Sequence, residues 1–199
     1  DEDLDIINSR HNAEYDEKDH YIYITTTNDR VTKINDEKLS SIKNKLYSTK
    51  AYVFGNFEKK YFPTDEVLNF KKSAQVMLLV NNKEGLYVNG TVGIIKSIKE
   101  EYRKVKEIVV TIKSKDDKGK QIDNDVVIVP YKWHTYKYVV EESGEGISKT
   151  KSLVLREEGY FLQFPIKLAW SSTIHKSQGK SFDRVVLDIS GNIFANGQL

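Results

Sequence analysis

The chain has 199 residues, enough for one large domain or two small domains with a hydrophobic core. Its 31 basic and 29 acidic residues leave a net charge of +2, so bulk charge does not indicate a nucleic-acid binder and any such site must be a local patch. The absence of cysteine excludes disulfides and cysteinyl metal sites. Together with an acidic amino terminus and no apolar run of membrane-spanning length, it predicts a cytoplasmic protein.

A strand, a hydroxyl-rich turn and a helix are predicted early in the chain. Residues 21–25 are β-branched or aromatic, which favours a strand. Thr26, Thr27 and Asn28 end it, and the apolar spacing of residues 29–46 predicts an amphipathic helix, or two turns of one helix followed by another. This order of elements can place phosphate contacts at a helix N-terminus, although Thr and Asn are also ordinary N-caps.

The middle of the chain is predicted to be mostly β. Residues 51–54 form another predicted strand. From residue 74 onward, short β segments at 75–80, 90–98, 107–112 and 125–129 are separated by Asn-, Asp- and Gly-rich turns. Several short strands with such turns predict a small barrel or sandwich.

Aromatic residues alternate with basic residues just after these segments. Tyr131, Trp133 and Tyr136 lie beside Lys132, His134 and Lys137. Such a pattern can stack bases and neutralise phosphates, or it can bury one face of a strand. We favour the barrel core for the three aromatic side chains.

The most informative segment is residues 172–179, Ser-Thr-Ile-His-Lys-Ser-Gln-Gly, which precedes a predicted strand at 182–189. Hydroxyl and imidazole groups on a tight turn can bind phosphate oxygens, and Gly179 allows a sharp turn or a close backbone approach. The alternative is a solvated turn that ends a helix at Gly179. Gly179-Lys180-Ser181 imitates a P-loop, but Ile174 replaces its first glycine and a strand follows instead of a helix.

Two other types of site are disfavoured. A hydrolase built from Ser177, His175 and Asp183 lacks a nucleophile elbow, and a serine two residues from its histidine has poor triad geometry. The four histidines have no ligand spacing to one another. These are His11, His20, His134 and His175.

Residues 164–188, which include Thr-Ile-His-Lys-Ser-Gln-Gly, resemble the fifth motif of superfamily-one B helicases of the RecD-like, petite-integration-frequency (Pif) family. Thr26-Thr27-Asn28 with Ile34-Asn35 resembles the fourth motif, and residues 74–93 resemble an SH3-like insert. The resemblance implies an α/β fold: a RecA-like (P-loop NTPase-type) half-domain with a parallel sheet, interrupted by a small SH3-like all-β barrel. Residues 1–69 and 165–199 would form the half-domain and residues 70–164 the barrel, and the chain would stop before the sixth motif.

The resemblance also implies a function, that of a carboxy-terminal fragment of an ATP-dependent 5′-to-3′ DNA helicase. Its partners would be single-stranded or fork DNA and the first RecA-like domain of the same parent chain, with no membrane. ATP and Mg²⁺ would serve the full-length parent but not bind the fragment alone, which we expect to be inactive because it lacks a P-loop. If bacterial, the protein would be nucleoid-associated. The alternative is a stand-alone, non-enzymatic nucleic-acid-binding module.

The resemblance assigns roles to two groups of residues. The first group would hold DNA phosphates, and it consists of Thr27, Asn28, Thr173, His175, Ser177 and Lys176. For Lys176 the alternative is an ordinary surface lysine. The second group would lie at the nucleotide, and it consists of Gln178, Gly179 and Ser181.

Overall fold

The computed structural model describes residues 5–6, 9, 21–115, 120–143, 150–180, 182 and 184–188. These residues are mostly β-strand with few helices. The strands are β1 (Ile22–Thr25), β2 (Leu46–Lys50), β3 (Tyr52–Gly55), β4 (Val67–Lys71), β5 (Gln75–Leu78), β6 (Val92–Glu101), β7 (Lys104–Lys115), β8 (Gln121–Ile128), β9 (Tyr131–Ser143), β10 (Thr150–Gln163), β11 (Ile166–Leu168), β12 (Ser171–Thr173) and β13 (Val185–Asp188). The helices are α1 (Asn28–Ser41) and α2 (Ile174–Ser177), with a 3₁₀ turn at Lys59–Tyr61.

The described residues fall into two compact units, residues 1–35 with 170–199 and residues 36–169. The first unit contains a three-stranded sheet in the order β12-β1-β13, and both pairings are parallel. Thr25 at the end of the central strand lies opposite Thr173 on one side and Asp188 on the other. The strands predicted at residues 21–25 and 182–189 are therefore confirmed in type, and the carboxyl ends of all three strands meet at one edge.

The second unit is built from antiparallel sheets. Its largest sheet has the order β11-β5-β6-β7-β8. Every residue of β5 is buried, because the apolar run Val76–Leu78 is covered on both faces. Gln75 is also buried, and its Nε2 donates a hydrogen bond of 2.9 Å to the carbonyl of Ala169, which satisfies the amide inside the core.

The other sheets are the pair β2-β4 and the sheet β3-β10-β9. Phe161 on β10 is fully buried and its ring contacts those of Phe62 and Trp133 at centroid distances of 4.6 and 5.9 Å. The prediction of a core position is wrong for two of the three alternating aromatic residues, since Tyr131 is 44% exposed and Tyr136 is 53% exposed. Trp133 is half-buried against Phe161.

The predicted helix at residues 29–46 is too long. The helix ends at Ser41, and Leu46, the last residue of the apolar spacing that predicts the helix, begins strand β2 and is 53% exposed. No helix among the described residues combines the length and apolar character that crossing a membrane requires.

Candidate nucleic-acid interface

The candidate interface is the carboxyl edge of the parallel sheet. Strand β1 continues through Thr26 and Thr27 into helix α1, and strand β12 continues directly into helix α2. Because Thr25 and Thr173 are paired neighbours, the two helices begin side by side although about 145 residues separate them in sequence. The fold thus brings together the two segments that resemble helicase motifs.

Thr27 begins the first of these turns. Its Oγ1 accepts a hydrogen bond of 3.3 Å from the backbone N–H of Arg30, and its own N–H donates to Thr25 Oγ1 at 3.3 Å. Thr27 is half-buried and Asn28 is exposed. The hydroxyl therefore caps helix α1, whose N-terminal backbone N–H groups and dipole favour an anion.

Thr173 has the same role in the second turn. Its backbone is extended, and its Oγ1 accepts a hydrogen bond of 3.3 Å from the backbone N–H of Lys176. Thr173 is only 5% exposed, so its hydroxyl forms its hydrogen bond inside the protein. His175 and Lys176 follow on the exposed side of this turn.

A direct contact links the two turns. Lys176 Nζ donates a hydrogen bond of 3.1 Å to Asn28 Oδ1, and both side chains are at the surface. Next to them the guanidinium of Arg30 forms an ion pair of 2.6 Å with Asp188 at the end of β13. The charge of Arg30 is therefore balanced by Asp188, whereas Lys176 binds a neutral amide, and the first turn of α1 also carries the acidic Asp29.

The remaining predicted site residues lie just beyond helix α2. The Ser177 hydroxyl oxygen is buried and has no hydrogen-bond partner among the described residues. Gln178 and Gly179 are exposed, and Gly179 has a φ of +71°. The chain turns sharply there, which fits both a phosphate-binding turn and a solvated turn that ends the helix. Burial lowers the pKa of the neighbouring Lys180 ammonium. Ser181 and Asp183 lie outside the described residues.

A buried amide fixes the back of the interface. Asn35 on α1 is 9% exposed; its Oδ1 accepts from the Ser171 N–H at 3.0 Å and its Nδ2 donates to the Ser171 carbonyl at 3.4 Å. The Ser171 hydroxyl in turn donates to the Tyr23 carbonyl at 2.9 Å. Asn35 thus supplies the two hydrogen bonds that a further strand would give to the edge of β12.

Sequence reasoning missed the contacts of Arg30, Asp188 and Asn35. Asp188 ends a strand, and in a parallel sheet the carboxyl ends of the strands lie at one edge. This rule would place Asp188 near Arg30 only if the order of the strands in the sheet were already known. Among the described residues no group of three or more acidic or histidine side chains is placed to hold a metal ion.

Comparisons with known sequences and with known structures agree with each other. No family model matches the sequence. The chain is 34% identical over 194 residues to the ATP-dependent DNA helicase Pif1 of Campylobacter jejuni, covering 92% of the chain and 39% of that relative. The structure of Bacteroides Pif1 bound to single-stranded DNA matches with a TM-score of 0.64 and 31% identity, covering 89% of this chain and 36% of that one. Bacteroides Pif1 in complex with ADP-AlF4 matches with a TM-score of 0.65 and 30% identity, covering 84% and 34%. The chain therefore spans between a third and two fifths of the length of these proteins.

Proposed function

Because the chain belongs to the Pif1 family of DNA helicases, we propose that it forms part of the motor of an ATP-dependent helicase that unwinds DNA in the 5′-to-3′ direction. In this proposal residues 1–69 and 165–199 form the second RecA-like motor domain, and residues 70–164 form its SH3-like barrel insert. The partners are single-stranded or fork DNA and the first RecA-like domain of the same parent chain. A stand-alone binding module is not favoured, because the relatives are named ATP-dependent DNA helicases.

The observation that carries the proposal is the pairing of Thr25 with Thr173 together with the Lys176–Asn28 contact. Two turns that each lead into a helix N-terminus, a position suited to phosphate, therefore lie at one exposed edge. Exposed donors there, from His175, Lys176, Asn28 and the first turn of α1, suit the phosphates of a strand held without regard to sequence. Thr27 and Thr173 hold the two turns in shape by capping the helices, and the buried Ser177 hydroxyl reaches a phosphate only if this turn shifts.

ATP and Mg²⁺ are required by the whole helicase, and this chain supplies at most one wall of their site. Gln178 and Gly179 lie on the exposed turn directly after α2, the helix that carries Lys176 and His175. In this proposal a change in that turn moves these two side chains. Ser181 is part of the same proposal by its position in the sequence. Phosphate-cradling backbone, the catalytic lysine and the charge-stabilising arginine come from elsewhere in the parent.

The test is the salt dependence of DNA binding. We expect Lys176→Met to weaken binding of a fluorescein-labelled oligothymidine and to reduce the slope of log affinity against log salt by about 0.7, the value for one phosphate contact to a single strand. The matched control is Lys83→Met, which removes an exposed loop lysine of the other compact unit. If Lys176→Met leaves both affinity and slope unchanged, the DNA-gripping role of this edge is wrong.

A further inference from the structure

An exposed aromatic surface occupies one side of the sheet β3-β10-β9. Phe54 lies opposite Tyr160, and Tyr160 lies opposite His134. Since alternate residues of a strand share a face, Tyr52 joins Phe54, and Tyr136 and Tyr138 join His134. We call this set the aromatic face; its members are Tyr52, Phe54, His134, Tyr136, Tyr138 and Tyr160.

The exposure of these rings is unusual for so large a group. Phe54 is 54% exposed, Tyr136 is 53% exposed and Tyr138 is 74% exposed, whereas the other side of the sheet packs Trp133 onto the buried Phe161. Exposed aromatic residues scattered singly need no explanation, but a contiguous patch on one side of a sheet marks an interaction site.

We propose that the aromatic face is a stacking surface for the bases of single-stranded DNA. The proposal rests on the proposed function, in that the chain must meet such a strand, but it concerns a surface other than the carboxyl edge of the parallel sheet. The rings follow one another across three strands, with centroid distances of 5.3 Å from Phe54 to Tyr160, 6.2 Å from Tyr160 to His134 and 5.9 Å from His134 to Tyr136. A row of rings accepts bases of any sequence, because every base has a π-face.

The charges on this face suit a polyanion. Lys132 Nζ lies 4.3 Å from the centroid of the Tyr160 ring, and among the described residues it forms no ion pair, so its charge is available to a phosphate. Glu157 lies on the same face, opposite Tyr136, and its carboxylate contacts His134 Nδ1 at 3.1 Å. Aliphatic residues, which suit a protein partner better, continue this face toward the tip of the β9–β10 hairpin, where Leu155 lies opposite Tyr138 and Leu153 lies opposite Val140. Lys132 lies at the other end of the row, beside Tyr160.

The experiment separates base stacking from phosphate binding. The affinity of the 199-residue chain is measured for a labelled oligothymidine and for an abasic oligonucleotide of the same length, which has the phosphates but no bases. We expect about tenfold tighter binding of the oligothymidine, which corresponds to about 1.4 kcal/mol. In a Tyr136→Ala/Tyr138→Ala variant this preference falls to about one while affinity for the abasic strand is unchanged. Tyr136→Phe/Tyr138→Phe keeps the rings and the preference, and Tyr102→Ala, which removes an exposed tyrosine from the β6–β7 turn, also keeps it.

The outcomes for the stacking surface and for the proposed function can be told apart. Lys176→Met should weaken binding of both oligonucleotides equally, because it acts on phosphates. Wild-type binding without any preference for bases overturns the stacking surface and leaves the proposed function standing, whereas no binding of either strand overturns both. The stacking surface is also overturned if the double alanine variant keeps the preference for the oligothymidine. The stacking surface is overturned as well if the wild-type chain is a dimer and the double alanine variant is a monomer, since a second copy of the chain would then cover the aromatic face.

Discussion

Replacing Asn35 by leucine is expected to destabilise the unit that carries the parallel sheet. Leucine is of similar size but removes the bonds to both the N–H and the carbonyl of Ser171, which are 3.0 and 3.4 Å long. A buried backbone group left without its partner costs about 1–3 kcal/mol, and the longer bond counts for less, so we expect a loss of about 2–4 kcal/mol. For a chain of this size that corresponds to a fall in melting temperature of roughly 5–15 °C.

Circular dichroism melting and amide hydrogen exchange measure this effect. Asn44→Leu is the control, because Asn44 also donates its amide to a backbone carbonyl, that of Lys72 at 2.9 Å, but in an exposed position. Asn35→Asp gives an internal check. Its carboxylate would face the Ser171 carbonyl, and burial would raise its pKa, so the deficit relative to wild type should shrink as pH falls and the acid becomes a donor. A melting temperature of Asn35→Leu within about 1 °C of wild type would refute the reasoning.

Two further predictions concern particular contacts, and a third concerns ATP hydrolysis. Gly159→Ala should sharply lower the melting temperature, because the added Cβ would lie 2.4 Å from the backbone oxygen of Phe54; a thermal shift below about 2 °C would contradict this. Hydrogen bonds from Lys96 and then Thr111 lower the pKa of Asp125. Asp125→Asn should therefore reduce the melting temperature at pH 7. Below the folded-state pKa of Asp125 the wild type has lost the same contribution, so there the variant should melt at the wild-type temperature; melting curves recorded as a function of pH test this. The purified chain should release no phosphate from ATP with or without oligothymidine, and robust DNA-stimulated release would overturn this expectation.

The type of most elements could be predicted, because local pattern determines it. Strand β1 and the β segments 75–80, 90–98, 107–112 and 125–129 follow from β-branched content and turn residues, and the structure confirms a strand at each. Strand β2 was missed because it pairs with β4, whose residues lie about 20 positions away, and Leu46 fits a helical spacing equally well. The residues around Leu46 alone do not distinguish a longer helix from a new strand.

The long strands β9 and β10 were also poorly predicted, for a different reason. A one-sided sheet usually shows apolar residues on the buried face and polar residues on the other, but here Tyr136, Tyr138 and Leu155 face solvent. Both faces therefore contain apolar residues, and the alternation that would identify the core face is lost. The same feature that misled the assignment of Tyr136 to the core is the one that marks this face as a binding surface.

The candidate site illustrates where sequence reasoning ends. The pattern of residues 172–179 predicts which side chains lie on the proposed phosphate-binding turn. It does not predict which of them stabilise the turn and which are free to contact DNA. Thr27 and Thr173 use their hydroxyls to cap helices, so removing either hydroxyl would change the shape of a turn as well as any contact to DNA. Lys176 is different, because its side chain is exposed and the hydrogen bond from its ammonium to Asn28 joins two turns that are already formed. Loss of DNA binding in a threonine variant therefore cannot be assigned to a phosphate contact unless stability is unchanged, whereas the same loss in Lys176→Met can.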